Sequence, residues 1–214
     1  MRRGIALVIL TLIWVTGANA GQLGVGLTPI FSKQNHSNPR LIETFVDRDT
    51  LWEISGSLFS KGAALRVSHL FNKNHKFDTI LFNAEDKKFL PVAFENSFSA
   101  TALEVGIPFF TRRFMVEPFF VNSFTNRSWS IVGEKDKFYG VINHSTPGFG
   151  VLYNQPFYRD HNLGIKYWVT SKDSLFDVRY TWFKPRSFLC AGYTYRTYGH
   201  TRLDGPEISF GMYF

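Results

Sequence analysis

Two short stretches put a histidine beside a serine: Asn35-His36-Ser37-Asn38 and Asn143-His144-Ser145. A histidine next to a hydroxyl can act as base to a nucleophile. In an extended strand adjacent side chains face opposite ways, which makes a direct His144–Ser145 couple awkward. A third stretch, Asp47-Arg48-Asp49, spaces two carboxylates so that extended backbone puts both on one face, an arrangement suited to acid–base chemistry. Four histidines, His36, His75, His144 and His200, fall in segments read as outer loops and could gather a metal ion, although loop histidines are usually solvated. The single cysteine, Cys190, excludes an internal disulfide and cysteine-rich metal sites, and its phase in the local pattern is that of a small inward filler. There is no phosphate-cradling glycine loop and no zinc ribbon, so neither a cofactor nor a metal is expected.

The elements that must position these groups are strands. The chain has 214 residues, enough for one domain, with 23 Phe, 9 Tyr and 5 Trp. A mean hydropathy of −0.10 is too polar for a bundle of membrane helices. Abundant aromatics with modest hydropathy fit strands that are apolar on one face only. The formal charge of +7 is made of scattered bases mixed with acids, which suits a surface facing anionic lipid better than one facing nucleic acid.

Residues 1–20 read as a secretory signal peptide. Arg2 and Arg3 precede a short apolar run, Ile5 to Val15, and Ala18-Asn19-Ala20 is a small-x-small cleavage site. Residues 21–214 read as one β-barrel domain. Ten alternating segments stand at about 21–30, 49–59, 62–71, 97–109, 113–124, 147–156, 162–170, 174–183, 187–197 and 206–214. Short links at 60–61, 111–113, 158–161 and 184–187 alternate with long ones at 31–48, 72–96 and 125–146, while 171–173 and 198–205 fall on the long side. Tight periplasmic turns alternating with larger outer loops are the pattern of a transmembrane antiparallel up-and-down barrel, here of about ten strands, with eight or twelve as neighbouring possibilities. Two of the long links, around Thr79–Phe82/Phe89–Phe94 and Trp129–Gly133/Phe138–Asn143, read as hairpin extensions above the membrane.

The alternation sorts side chains by environment. Outward fall Trp52, Ile54, Leu65, Leu103, Val105, Phe120, Val169, Phe176, Trp182, Leu189, Ile208 and Phe210. Inward fall five acids and four bases: Glu53, Arg66, Glu104, Glu117, Lys166, Asp177, Arg179, Arg196 and Glu207. None could face lipid cheaply. A ten-stranded interior is only slightly wider than the eight-stranded size that side chains fill, so these charges are expected to form a packed ion-pair network in a largely plugged lumen.

The ending Phe210-Gly211-Met212-Tyr213-Phe214 resembles the C-terminal signature of bacterial outer-membrane β-barrels. The resemblance implies an outer-membrane location and a role for Phe210, Met212 and Phe214 as the signal read by the barrel-assembly machinery. The His/Ser stretches faintly resemble that of lipid A deacylases. The acid pair and the strand count resemble omptin-type surface proteases, which set paired acids and an Asp/His couple at the mouth of a ten-stranded barrel. No Asp-x-His segment occurs here; His200 and Asp204 are the nearest substitute and have the wrong spacing. The reading adopted is therefore a non-catalytic surface or structural role through the outer loops, with a rim enzyme or a narrow channel as alternatives. Expected partners are outer-membrane lipid, lipopolysaccharide and the assembly machinery; nucleic acid is not expected, and a monomer is.

Protein extracted from membranes should begin at Gly21 on N-terminal sequencing. Deleting Phe214 should lower the yield of heat-modifiable barrel and leave unfolded protein in the periplasm; an undiminished yield would make the terminal resemblance accidental.

Overall fold

The computed structural model describes residues 22–38, 41–60, 62–72, 75–83, 88–132, 137–199 and 201–213. The expected signal segment, His200 and Phe214 lie outside these residues. Strands β1 (Gln22–Asn38), β2 (Leu41–Ser60), β3 (Ala63–Phe71), β4 (His75–Asn83), β5 (Lys88–Gly106) and β6 (Phe109–Phe110) make the first half. Strands β7 (Met115–Val132), β8 (Lys137–Tyr158), β9 (His161–Thr170), β10 (Asp173–Phe183), β11 (Ser187–Tyr198) and β12 (Thr201–Tyr213) make the second. Ten of them form a closed antiparallel ring in the order β1, β2, β3, β5, β7, β8, β9, β10, β11, β12. Closure is direct: Val25 pairs with Met212, Leu27 with Phe210, and the ladder continues up to His36 opposite Thr201. β4 extends the sheet beside β5, and β6 clips onto the start of β7; neither joins the ring. No helix among the described residues is long and apolar enough to cross a membrane.

The alternating pattern is what makes this sheet suit a bilayer. On β12, Ile208, Phe210 and Met212 are 51%, 54% and 44% exposed, whereas Glu207 and Ser209 between them are buried. The same outward set recurs around the ring in Leu103, Val105, Phe120, Phe149, Val169, Phe176 and Leu189. The exterior is thus an apolar band, with polar groups turned to the inside, as lipid requires.

The strand count agrees with the sequence reading, but several strands are longer. The link expected at 31–48 is a third hairpin: β1 and β2 pair from Gln22–Phe59 to Asn38–Leu41. Above the bilayer both faces of a hairpin meet water, so no apolar period marks it in the sequence, yet the backbone ladder continues. β7 and β8 likewise pair without a register shift from Met115–Asn154 to Val132–Lys137. Between β3 and β4 the ladder is carried across the break by Asn72, whose backbone N–H donates to the Phe98 carbonyl at 3.1 Å while its side-chain Oδ1 accepts from the Phe98 N–H at 2.7 Å.

Candidate functional site: the lumen and its outer mouth

Inward positions run down each strand in layers. Nearest the short-turn end lies a belt of charge. Arg66 on β3 grips Glu117 on β7 with both guanidinium prongs, one at 2.6 Å, and lies 3.8 Å from Glu104 on β5. Glu104 also accepts from Lys166 on β9 at 2.5 Å. On the other side Arg196 pairs with Glu53 and lies 3.6 Å from Glu207. Arg179 contacts Asp177 at 2.6 Å, Glu207, and Glu53 at 3.8 Å. All nine inward charges singled out in the sequence are therefore in ion pairs, divided into a group of four on β3, β5, β7 and β9 and a group of five on β2, β10, β11 and β12. Between the groups is a cavity of about 200 Å³ lined by Glu53, Ser57, Arg66, Lys166, Arg179 and Phe188, among others. Cys190 is buried, with its Sγ 3.1 Å from Thr181 Oγ1.

Outward along the axis comes an apolar layer that the sequence reading missed. Twelve buried side chains form one cluster inside the ring, among them Ile30, Leu51, Leu70, Phe98, Phe119, Val121, Trp168, Leu175, Tyr198 and Leu203, with Leu152 packed against it. Every strand of the ring except β8 contributes at least one of the twelve, and β8 supplies Leu152. Phe98 and Tyr198 have ring centroids 5.1 Å apart, and Trp168 and Tyr198 6.5 Å. Room for the large rings comes from Gly150 on β8: a Cβ there would lie 2.4 Å from the Phe119 ring and 2.6 Å from Trp168 Cβ. The signal was present in the sequence as breaks in alternation, where apolar residues stand next to one another at Phe119-Phe120-Val121, Tyr167-Trp168-Val169 and Leu175-Phe176. Adjacent apolar residues on a strand mean that both faces are apolar there.

Above this layer the mouth is polar, and its hub is Asp173, which sequence reasoning did not single out. Its side chain is fully buried and lies 2.7 Å from His144 Nε2. Oδ2 accepts from Ser123 Oγ at 2.7 Å and Thr125 Oγ1 at 3.2 Å, and Oδ1 also accepts from the Gly199 N–H at 3.1 Å. Gly199 reaches that donor with φ +58°, a left-handed conformation costly for residues with a Cβ. Beside the hub, Arg127 donates to Thr201 Oγ1 at 2.6 Å and Asn96 Oδ1 at 3.3 Å, and Thr146 donates to Thr170 at 2.8 Å. A carboxylate with four donors is well satisfied; its one distinctive partner is the imidazole.

Three histidines read as loop residues lie in strands: His36 in β1, His75 in β4 and His144 in β8. The reason is the same ladder continuation that lengthens the hairpins. His144 faces inward and Ser145 outward, where its hydroxyl donates to Asn122 Oδ1 at 3.2 Å, so the pair does not form a base–nucleophile couple. Asp47 and Asp49 occupy alternate positions of β2, opposite Gln34 and Ser32. The side chains of His36, Asp47, Asp49 and His75 lie outside what the structure describes. Asp204 accepts from Tyr193 and lies 3.4 Å from Arg202. Among the described residues no three His, Cys, Asp or Glu side chains gather as a metal set.

A closed ten-stranded antiparallel barrel with an apolar exterior and its charges turned inward is the architecture of bacterial outer-membrane β-barrel proteins, and this chain has that fold. The fold is similar to that of the outer membrane protease OmpT from Escherichia coli, at 6% identity over 92% of this chain and 97% of the other, with a TM-score of 0.53. It is also similar to the translocator domain of the autotransporter NalP from Neisseria meningitidis, at 8% identity over 99% and 95% of the two chains, TM-score 0.50. Ail, the attachment invasion locus protein of Yersinia pestis, aligns at 8% identity over 91% and 99%, TM-score 0.43. No protein-family model matches the chain, and no curated protein matches it in sequence.

Removing one base from the belt should strand buried carboxylates. Arg196→Ala, which leaves Glu53 without its closest cation, should destabilise the barrel by about 3–5 kcal/mol in urea titrations. Lipid-facing Leu189→Ala, which opens no internal cavity, should cost less. Equal, small shifts in both midpoints would mean that the charges are hydrated rather than packed.

Proposed function

We propose that the protein is a non-conducting, non-catalytic surface barrel whose three outer hairpins contact lipopolysaccharide or other molecules at the cell surface. The observation that supports this reading most is the filling of the lumen: a belt of paired charges lies beneath an apolar layer built from all ten strands of the ring. Ions crossing such an interior would have to displace either salt bridges or close-packed rings. The hairpins are the other half of the reading. β1–β2, β4–β5 and β7–β8 continue their ladders well past the strands that have only spanning length, such as the 9-residue β3 and 10-residue β9. Material standing that far from the bilayer is placed for contact.

Two measurements test it. In planar bilayers the wild type should give no steady conductance, and Phe119→Ala with Trp168→Ala should raise it. Replacing residues 129–140 by Asn-Gly should leave heat-modifiable mobility intact and reduce lipopolysaccharide retention by the immobilised barrel several-fold. Steady wild-type conductance, together with undiminished binding by the trimmed barrel, would replace this reading with a channel.

A second reading is kept because of one juxtaposition. β2 stands opposite β9 in the ten-membered ring, and β9 is flanked by β8 and β10, which supply His144 and Asp173. The backbone positions of Asp47 and Asp49 thus lie across the mouth from an Asp–His couple, the layout named above for omptin-type proteases. Under this reading the barrel cleaves members of a quenched-fluorescent peptide library, Asp173→Asn and His144→Ala abolish cleavage, and outward-facing Ser145→Ala leaves it unchanged. Absence of wild-type cleavage removes it.

A further inference from the structure

The formal charge of +7 is distributed very unevenly. Arg2 and Arg3 supply two of the seven. The nine lumen charges sum to minus one, and the long-hairpin side, with twelve bases against eleven acids, sums to plus one. The remaining five sit at the short-turn end, where Arg112, Arg113, Arg159, Lys184 and Arg186, with Lys61 beyond the described residues, face the single acid Asp160. All five described bases are exposed, and none forms an ion pair with another described residue.

The turns hold these bases beside an aromatic rim. In 111–114 the Thr111 hydroxyl accepts from the N–H groups of Arg113 and Phe114 at 3.2 and 3.0 Å, fixing both arginines at the apex. The flanking Phe109 and Phe110 are 58% and 73% exposed. On the other side His161 stacks on Trp182 with centroids 6.3 Å apart and lies 2.6 Å from the Tyr180 hydroxyl, and Lys184 Nζ sits 4.3 Å above the Trp182 ring. Asp160 is engaged by this cluster, accepting from Trp182 Nε1 at 3.4 Å. Amphipathic rings of this kind settle at the membrane–water interface. They therefore set the depth of the bases at the level where lipid phosphates lie.

We propose that this rim binds the phosphate groups of anionic phospholipids in the periplasmic leaflet. Clustered lysine and arginine at a membrane surface attract anionic lipid with an effect that accumulates per charge and fades with salt. Arginine adds bidentate hydrogen bonding to phosphate oxygens. The hairpin side is nearly neutral in sequence, so the preference is assigned to the short-turn end of the barrel. This inference is independent of what the outer hairpins contact.

The test is native mass spectrometry of the folded, processed barrel with equimolar phosphatidylglycerol and phosphatidylcholine. The wild type should retain the anionic lipid in about tenfold excess. Five glutamine substitutions, Arg112→Gln, Arg113→Gln, Arg159→Gln, Lys184→Gln and Arg186→Gln, should bring retention to parity. The Arg112→Gln, Arg113→Gln pair alone should lose part of the preference and provides the reading if the fivefold variant folds poorly. Lys172→Gln with Arg202→Gln, on the hairpin side, should keep the wild-type preference. Parity in the wild type, full preference in the rim variants, or loss of preference in the hairpin-side control would each overturn the proposal. Displacement of the lipid by excess soluble glycerol phosphate would also overturn it, in favour of a site for free phosphate esters.

Discussion

A sheet that crosses lipid cannot keep an edge, because each unpaired N–H or C=O in hydrocarbon costs several kcal/mol. The rest of this structure follows from that constraint. The pairing of β1 with β12 removes the last edge, and once the ring closes at ten strands the bore is fixed. It is too narrow for a wide aqueous channel and too wide to be left to backbone alone. The side chains at inward positions must therefore do two jobs at once, filling the space and satisfying one another.

They divide the task along the axis. Charges occupy the belt near the short turns, where Arg66, Arg179 and Arg196 each reach at least two carboxylates from other strands. Large apolar groups fill the next level, and Gly150 gives up its side chain so that Phe119 and Trp168 can meet. Each layer depends on its neighbour. Buried ion pairs must repay their desolvation through close geometry, and the rings above narrow the approach of water and counter-ions from that end. The rings in turn need a floor that does not collapse, and the cross-strand salt bridges tie the walls at fixed spacing.

Much of this was legible in the sequence because the period of a strand is two and lipid enforces it strictly. Ile208, Phe210, Glu207 and the other alternating residues announce both the ring and its inside charge. What was not legible has two physical causes. Where a hairpin ladder continues beyond the bilayer, as in the stretches of β1 and β4 that carry His36 and His75, no apolar period need mark it, and a strand reads as a loop. Where both faces are apolar, as at Trp168 between Tyr167 and Val169, the inner residue is concealed among lipid-facing ones. Asp173 was invisible for a third reason: its importance comes from partners on β7, β8 and the β11–β12 turn, none of which is near it in sequence. His144 illustrates the same limit, since its neighbour Ser145 is adjacent in the chain but on the opposite side of the wall.

The unbroken register of β7 and β8 also has a mechanical meaning. The 18 residues of β7 all pair with β8, a ladder about 60 Å long at the usual rise of roughly 3.3 Å per residue, which is about twice the thickness of a hydrocarbon core. A pull on the tip along the strand axis draws β7 and β8 together and loads their ladders to β5 and β9 in shear, with many hydrogen bonds bearing the force together rather than one at a time. The hairpin thus behaves as a stiff strut rooted in the packed barrel, and tension on anything held at its tip passes through to the wall itself.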